Sequence, residues 1–320
     1  MARSDRLTRN RREYSLRLSK LFVARSEPAR GDDGFIVVAV LWILGILAAL
    51  ISIYAIYVAN AAVSLSVNDD RVQAEALVSA ALELTAYQLT AVDEKSRPTT
   101  GDFAFRMGRA DVAVEFRSEA ARIDLNAAPK ELLAGLFAAL GARYDDAEYY
   151  ADRIIGWRSK GEPDSQAQET EAYRTAGLSY APRQAPFANV GELWLVLGLP
   201  PALVERALPF VTVFSGMPTV NVLDARPEVV AALPGMSAEL LYAVLSQRGT
   251  GPQNAQFVLG LLGPAQGAAT ADGSKATRVT VRIGFVNGRR VGAEAVILPV
   301  ADADEPFDIL SWRDDFDGPS

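Results

Sequence analysis

The chain has 320 residues, room for two domains of ordinary size, and contains neither cysteine nor histidine. Those two absences exclude disulfides, thiol nucleophiles, histidine general bases and Cys or His zinc sites. Charge is uneven: residues 1–33 hold nine basic and five acidic side chains, a net of +4, so of the overall −7 the remaining chain carries −11.

The basic leader is polar and interrupted by Pro28 and Gly31. After it, Gly34 to Asn68 contains no charged residue. As a helix, roughly 35 residues extend about 50 Å, whereas the hydrocarbon of a bilayer is about 30 Å thick. The stretch is also longer than the apolar core of a signal peptide. It reads as one membrane helix, transmembrane to about residue 65, whose far end continues into solvent. Basic flanks stay cytoplasmic, which places the acidic remainder outside, in the periplasm if the cell is a Gram-negative bacterium. From Asp69 to about Val92 strong helix formers continue without Gly or Pro, and Pro98 with Gly101 then stops the helix.

Period-two alternation follows. Phe103, Phe105 and Met107, then Val112, Val114 and Phe116, flank Gly108 as a hairpin. A second hairpin combines Val279, Val281, Ile283 and Phe285 with Val291 to Val300 across Asn287-Gly288, the commonest two-residue turn. Phe307 to Trp312 supplies a last strand. Between the hairpins, residues 120 to about 262 read as helical, and the composition contains a weak repeat: residues 123–136 align with 220–233, with Ala128/Ala225, Glu131/Glu228, Ala134/Ala231 and Leu136/Leu233 identical. Each copy reads as a short extended piece, a capping Asn126 or Asp224, and a short helix. Gly191 to Leu199 leads through Pro200-Pro201 into another helix. Segments 159–187 and 263–276 are rich in loop formers.

Three motifs invite chemistry. Leu233-Pro234-Gly235-Met236 and the helix after it resemble a helix-hairpin-helix, but the turn lacks nearby cations and has Glu228 and Glu239 close by, a poor setting for phosphate. Glu162, Asp164, Glu169 and Glu171 cluster beside Tyr173, which suits either a calcium site or a solvated charged loop. No Gly-rich phosphate loop and no spaced carboxylate pair nominates an enzyme, although a carboxylate hydrolase is compatible with composition. Finally, Gly34 directly precedes Phe35 at the start of the apolar helix, and this junction resembles the processing site of type IV pilin-like proteins, where a membrane peptidase cuts after the Gly and the new N-terminus is methylated.

Taken with Ile123-Asp-Leu-Asn-Ala-Ala128, Ala151 to Trp157, Tyr180 to Leu193, Pro209 to Val213, Val220-Asn-Val222 and Ile309-Leu-Ser-Trp312, the chain resembles the minor pseudopilins of the K kind from bacterial type II secretion systems. The resemblance implies an α+β, pilin-like fold: a cytoplasmic leader over 1–34 removed by prepilin peptidase, a long helix over 35–95, a first hairpin over 96–119, a large inserted all-α domain over 120–276 and C-terminal strands over 277–320. It implies no catalysis and no certain cofactor, with calcium possible at Asp164 and Glu169. The partners it implies are other minor pseudopilins, the peptidase and the inner-membrane secretion platform. Major pilin-like subunits carry a Glu at the fifth residue after cleavage, where this chain has Ala39, a substitution expected of a tip subunit with no neighbour above it. The function implied is initiation and capping of a pseudopilus that exports folded proteins from the periplasm across the outer membrane, by a single-pass inner-membrane protein with its N-terminus cytoplasmic. The alternative is a membrane-tethered helix-hairpin-helix nucleic-acid-binding protein of a DNA-uptake system.

Overall fold

The computed structural model describes residues 33–93, 96–249, 252–300 and 305–315, with only the backbone described over 59–70. The leader expected over residues 1–34 lies outside them, apart from its last two positions. The chain forms two compact units, residues 1–68 and 69–320.

Helix α1, Asp33–Thr90, is a single element of 58 residues, close to the length expected. In the second unit its face at Ala74, Leu77, Val78, Ala81, Leu82, Ala86 and Leu89 is buried. That spacing of three and four is the apolar stripe of an amphipathic helix. The stripe forms one core with a five-stranded antiparallel sheet made of β1 (Thr100–Met107), β2 (Ala110–Ser118), β7 (Thr277–Phe285), β8 (Arg290–Pro299) and β9 (Phe307–Asp314), in the order β1-β2-β7-β8-β9. Strand β2 buries every second residue, Ala110, Val112, Val114 and Phe116. Its register with β7 sets Val114 opposite Val281 and Val112 opposite Ile283, on the same core face.

Both expected hairpins form. The first closes through Gly108 and Arg109, with Gly108 at φ +61, the left-handed value that glycine adopts at no steric cost. The second differs from expectation. Phe285 N–H donates to the Arg289 carbonyl at 2.9 Å and Gly288 N–H to the Phe285 carbonyl at 3.0 Å, so the loop has three residues, with Gly288 alone at positive φ, +86. Asn287 instead accepts the Arg289 N–H at 3.0 Å.

The insert is helical but not purely so. Its elements are β3 (Ile123–Asp124), α2 (Lys130–Ala139), α3 (Tyr144–Arg158), α4 (Pro163–Thr175), α5 (Pro201–Ala207), β4 (Val211–Thr212), β5 (Val220–Asn221), α6 (Pro227–Ala231), α7 (Ala238–Ser246), α8 (Pro252–Leu261) and β6 (Ala269–Thr270). Helix α4 corrects the loop reading of residues 159–187. Pro163 sits at its first position, where the missing N–H costs nothing, and Gln, Ala and Glu fill a body free of Gly. Four two-residue strands were also hidden, because two residues carry no period.

The internal repeat is real and carries its own geometry. β3 pairs in parallel with β4, and β5 in parallel with β6. Asp124 Oδ1 accepts the Asn126 N–H at 2.7 Å, and Asn221 Oδ1 accepts the Leu223 N–H at 2.9 Å, the same Asx turn in both copies. Ala128 and Ala225 donate back to the carbonyls of Asp124 and Asn221. Helices α2 and α6 then touch so closely that a Cβ at Gly135 would overlap the Ala232 carbonyl oxygen. The capping assignment is corrected: Pro129 and Arg226 precede α2 and α6 without any side-chain cap bond. The Asx turn lies earlier in each copy, on Asp124 and Asn221, because it tightens the exit from the strand rather than the entry to the helix.

Candidate functional site

Gly34 and Phe35 lie in the first turn of α1, and from Phe35 to Val58 the helix is apolar enough and long enough to cross a membrane. Twenty-four residues at about 1.5 Å each give about 36 Å, which matches bilayer hydrocarbon with a modest tilt. No side of this segment is polar. Phe35 is 76% exposed, Trp42 70% and Ile53 66%, as in a helix whose partners are lipid or other helices. Ser52 Oγ donates to the Ala48 carbonyl at 2.8 Å, so its hydroxyl is satisfied within the helix. Ala39 is half-buried and brings no charge. The limit expected near residue 65 falls where side chains are not described.

Several of the residues that carried the resemblance meet in the insert, whereas Ile309–Trp312 lies in β9 of the sheet. Asn126 Nδ2 donates to the Phe187 carbonyl at 3.1 Å and its Oδ1 accepts the Phe187 N–H at 2.7 Å. Trp157 Nε1 donates to Glu192 at 3.0 Å, and Arg183 donates to the other oxygen of Glu192 at 2.9 Å. Arg158 donates to the carbonyls of Leu125 and Ala128 at 2.6 and 2.7 Å, and burial lowers its pKa. These side chains stitch distant loops together around a core of Trp157, Tyr173 and Phe187.

The acidic cluster is divided. Glu169 pairs with Arg153 at 2.8 Å, and the Arg153 guanidinium lies between the rings of Tyr149 and Tyr173. Burial raises the Glu169 pKa against the opposing charge of Arg153. Asp164 stands exposed in the first turn of α4. Five residues apart on one helix, the two carboxylates point roughly 140° apart, and among the described residues no group of three metal-ligating side chains gathers. The helix-hairpin-helix turn does form, with Gly235 at φ +73 between α6 and α7. At the start of α7, Ser237 accepts the Leu240 N–H at 3.2 Å, and hydrogen bonds to its own backbone and to Ser237 lower the Glu239 pKa. The Glu239 carboxylate thus lies in the first turn of α7, where it would repel a phosphate.

Sequence reasoning missed one polar centre, at the junction of insert and sheet. Glu119, 1% exposed, takes Arg278 at 2.7 and 3.0 Å and the hydroxyl of Thr212, while Arg278 also meets Glu294. Burial opposes the Arg278 charge, but the hydrogen bond and charge of Glu119 more than offset it, and its pKa is raised. Thr212 and Arg278 lie 93 and 159 residues from Glu119, so only the fold unites them.

An apolar N-terminal helix, an antiparallel sheet packed on its second half and a helical domain inserted between strands make up the fold. Residues 115–216 match the family model described as "Type II secretion system (T2SS), protein K". The fold is shared with a chain of "The Crystal Structure of the GspK-GspI-GspJ complex from enterotoxigenic Escherichia coli Type 2 Secretion System", at TM-score 0.57 and 18% identity over 79% of this chain and 98% of that one. No curated protein matches by sequence. The family likeness spans residues 115–216, and the likeness to the solved chain is one of fold.

Proposed function

We propose that this protein is a minor pseudopilin that occupies the tip of a type II secretion pseudopilus, where it initiates and caps assembly for export of folded proteins across the outer membrane. The observation that carries the reading is the pairing of a charge-free helix, Phe35–Val58 with Ala39 in place of a carboxylate, and a large helical insert between strands of the sheet. A carboxylate in lipid is costly unless a neighbour's charge meets it. A terminal subunit has no such neighbour, and a bulky insert suits the end of a fibre better than its shaft. The reading makes no use of catalysis. The protein is processed after Gly34, methylated on Phe35 and held in the inner membrane with its C-terminal portion periplasmic. It assembles with other minor pseudopilins, as the protein in the matched complex does with GspI and GspJ by that structure's description.

Mass analysis of the N-terminus of protein isolated from membranes checks the processing: methylated Phe35 is expected, and an intact Met1 contradicts it. Removing residues 35–58 abolishes secretion in a complementation assay; normal secretion by the soluble remainder overturns the assembly role. Calcium at Asp164 and Glu169 is a separate proposal, disfavoured by the Arg153 pair. A chelator leaves the melting temperature unchanged if Arg153 holds Glu169 in place of a metal, and a fall reversed by calcium supports the ion.

A further inference from the structure

Independently of the tip assignment, we infer that the cavity between the sheet and the insert is a binding site for a small oxyanion, seated on Arg122 and Arg226. The cavity encloses about 230 Å³, several times the roughly 30 Å³ share of one water. That is room for a phosphate, a sulfate or a carboxylate group with solvent, and too little for a nucleotide. Five arginines and three glutamates line it: Arg117, Arg122, Arg226, Arg278 and Arg282 against Glu115, Glu119 and Glu294.

The pairing within this set is uneven. Both oxygens of Glu119 are taken by Arg278, and one of them by Thr212 as well. Glu294 meets Arg278. Arg117 bonds Glu115 at 3.2 Å and the Asp224 carbonyl at 2.8 Å, and Arg282 approaches Glu115 at 4.0 Å. Three guanidinium groups, Arg122, Arg226 and Arg282, make no side-chain hydrogen bond to a described residue, and of these Arg282 is largely exposed, its side chain 69% so. Arg122 comes no closer than 3.9 Å to Glu119 and donates no side-chain hydrogen bond to any described residue, although its side chain is only 20% exposed. Arg226, an exposed residue, lies over the Phe210 ring at 5.9 Å and has no ion pair among the described residues. The lining therefore carries a formal surplus of two positive charges in a partly desolvated setting.

Guanidinium donors in a fixed planar fork match the paired oxygens of carboxylates and phosphates, and charge-assisted bonds of this kind are the strong ones. Separately, the Arg122 pKa is lowered to about 10, first by burial and then by Arg278, with a smaller push from Arg226. An oxyanion seated there would relieve that repulsion. The same chemistry reaches the site either as a free inorganic ion or as a carboxylate on a partner polypeptide.

Isothermal titration of the full chain in detergent micelles, at constant ionic strength against chloride, tests the inference with three probes: inorganic phosphate, sulfate and a short acidic peptide. Saturable one-to-one binding is expected in at least one arm, and the arm with the higher affinity names the source. Arg122→Gln and Arg226→Gln each weaken it by about tenfold or more, the loss of one charge-assisted bond. Arg143→Gln, whose guanidinium pairs with Asp146 at 2.8 Å on the far-exposed end of α3, leaves it unchanged. Both variants must melt in chloride as the unsubstituted chain does, since each removes a like charge. No saturable heat in any arm overturns the inference on the unsubstituted chain alone, and so does equal affinity in correctly folded Arg122→Gln and Arg226→Gln.

Discussion

Asn126 shows what a single residue type conceals. A sequence places it as a helix cap, because Asn before a helical run is a common signal. In the fold it forms two hydrogen bonds with the backbone of Phe187, 61 residues away. Asn126→Ala leaves both Phe187 groups without that partner and should lower unfolding free energy by about 1–3 kcal/mol in urea titration. Glu119 is the more severe case. Glu119→Gln strips the buried Arg278 of the more buried of its two charge partners, Glu294 being the other, with an expected loss of about 3–5 kcal/mol by the same measurement. Glu169 gives a pH signature. Its folded-state pKa is raised by burial, so the folded form holds the proton to higher pH than the unfolded chain does. Its contribution is thus fully present at acid pH and is lost as pH rises through the raised value. The fall in stability from mildly acidic to neutral pH should be shallower in Glu169→Gln; an identical slope contradicts that assignment.

At the scale of elements, legibility followed periodicity. The strands of both hairpins each run eight residues or more with a period of 2, helix α1 is a long charge-free run followed by strong helix formers, and all of them form. The two-residue strands β3 to β6 have no period to read, yet they organise the insert. What the sequence did carry was their repeat, Ile123 to Leu136 over Val220 to Leu233, which the fold turns into matched Asx turns and parallel bridges. Helix α4 escaped notice because Ser, Gly, Pro and charged residues around it resemble loop, while its own propensities are good. Gly135 is where the two copies press together, so Gly135→Ala, a favourable change by helix propensity alone, should instead destabilise by about 1–3 kcal/mol through overlap with the Ala232 carbonyl. A neutral or stabilising result would show that α2 and α6 can separate at little cost. The ion-pair cavity was illegible for a different reason: Arg122, Arg226 and Arg278 are unremarkable one by one, and only the sheet's return after the insert brings them together.

For the whole molecule, the decisive feature is that Phe35–Val58 is apolar on every side, so under the proposed function it would exchange lipid for neighbouring helices without uncovering a charge. Leu47→Arg near its midpoint carries an insertion penalty of about 2.5–3.5 kcal/mol, and the variant should shift from the membrane pellet toward the soluble fraction. The most direct measurement is gold labelling of this subunit on pseudopili sheared from cells that overproduce the fibre. Label confined to one end of each fibre is the predicted result, and label spaced along the shaft would contradict the account.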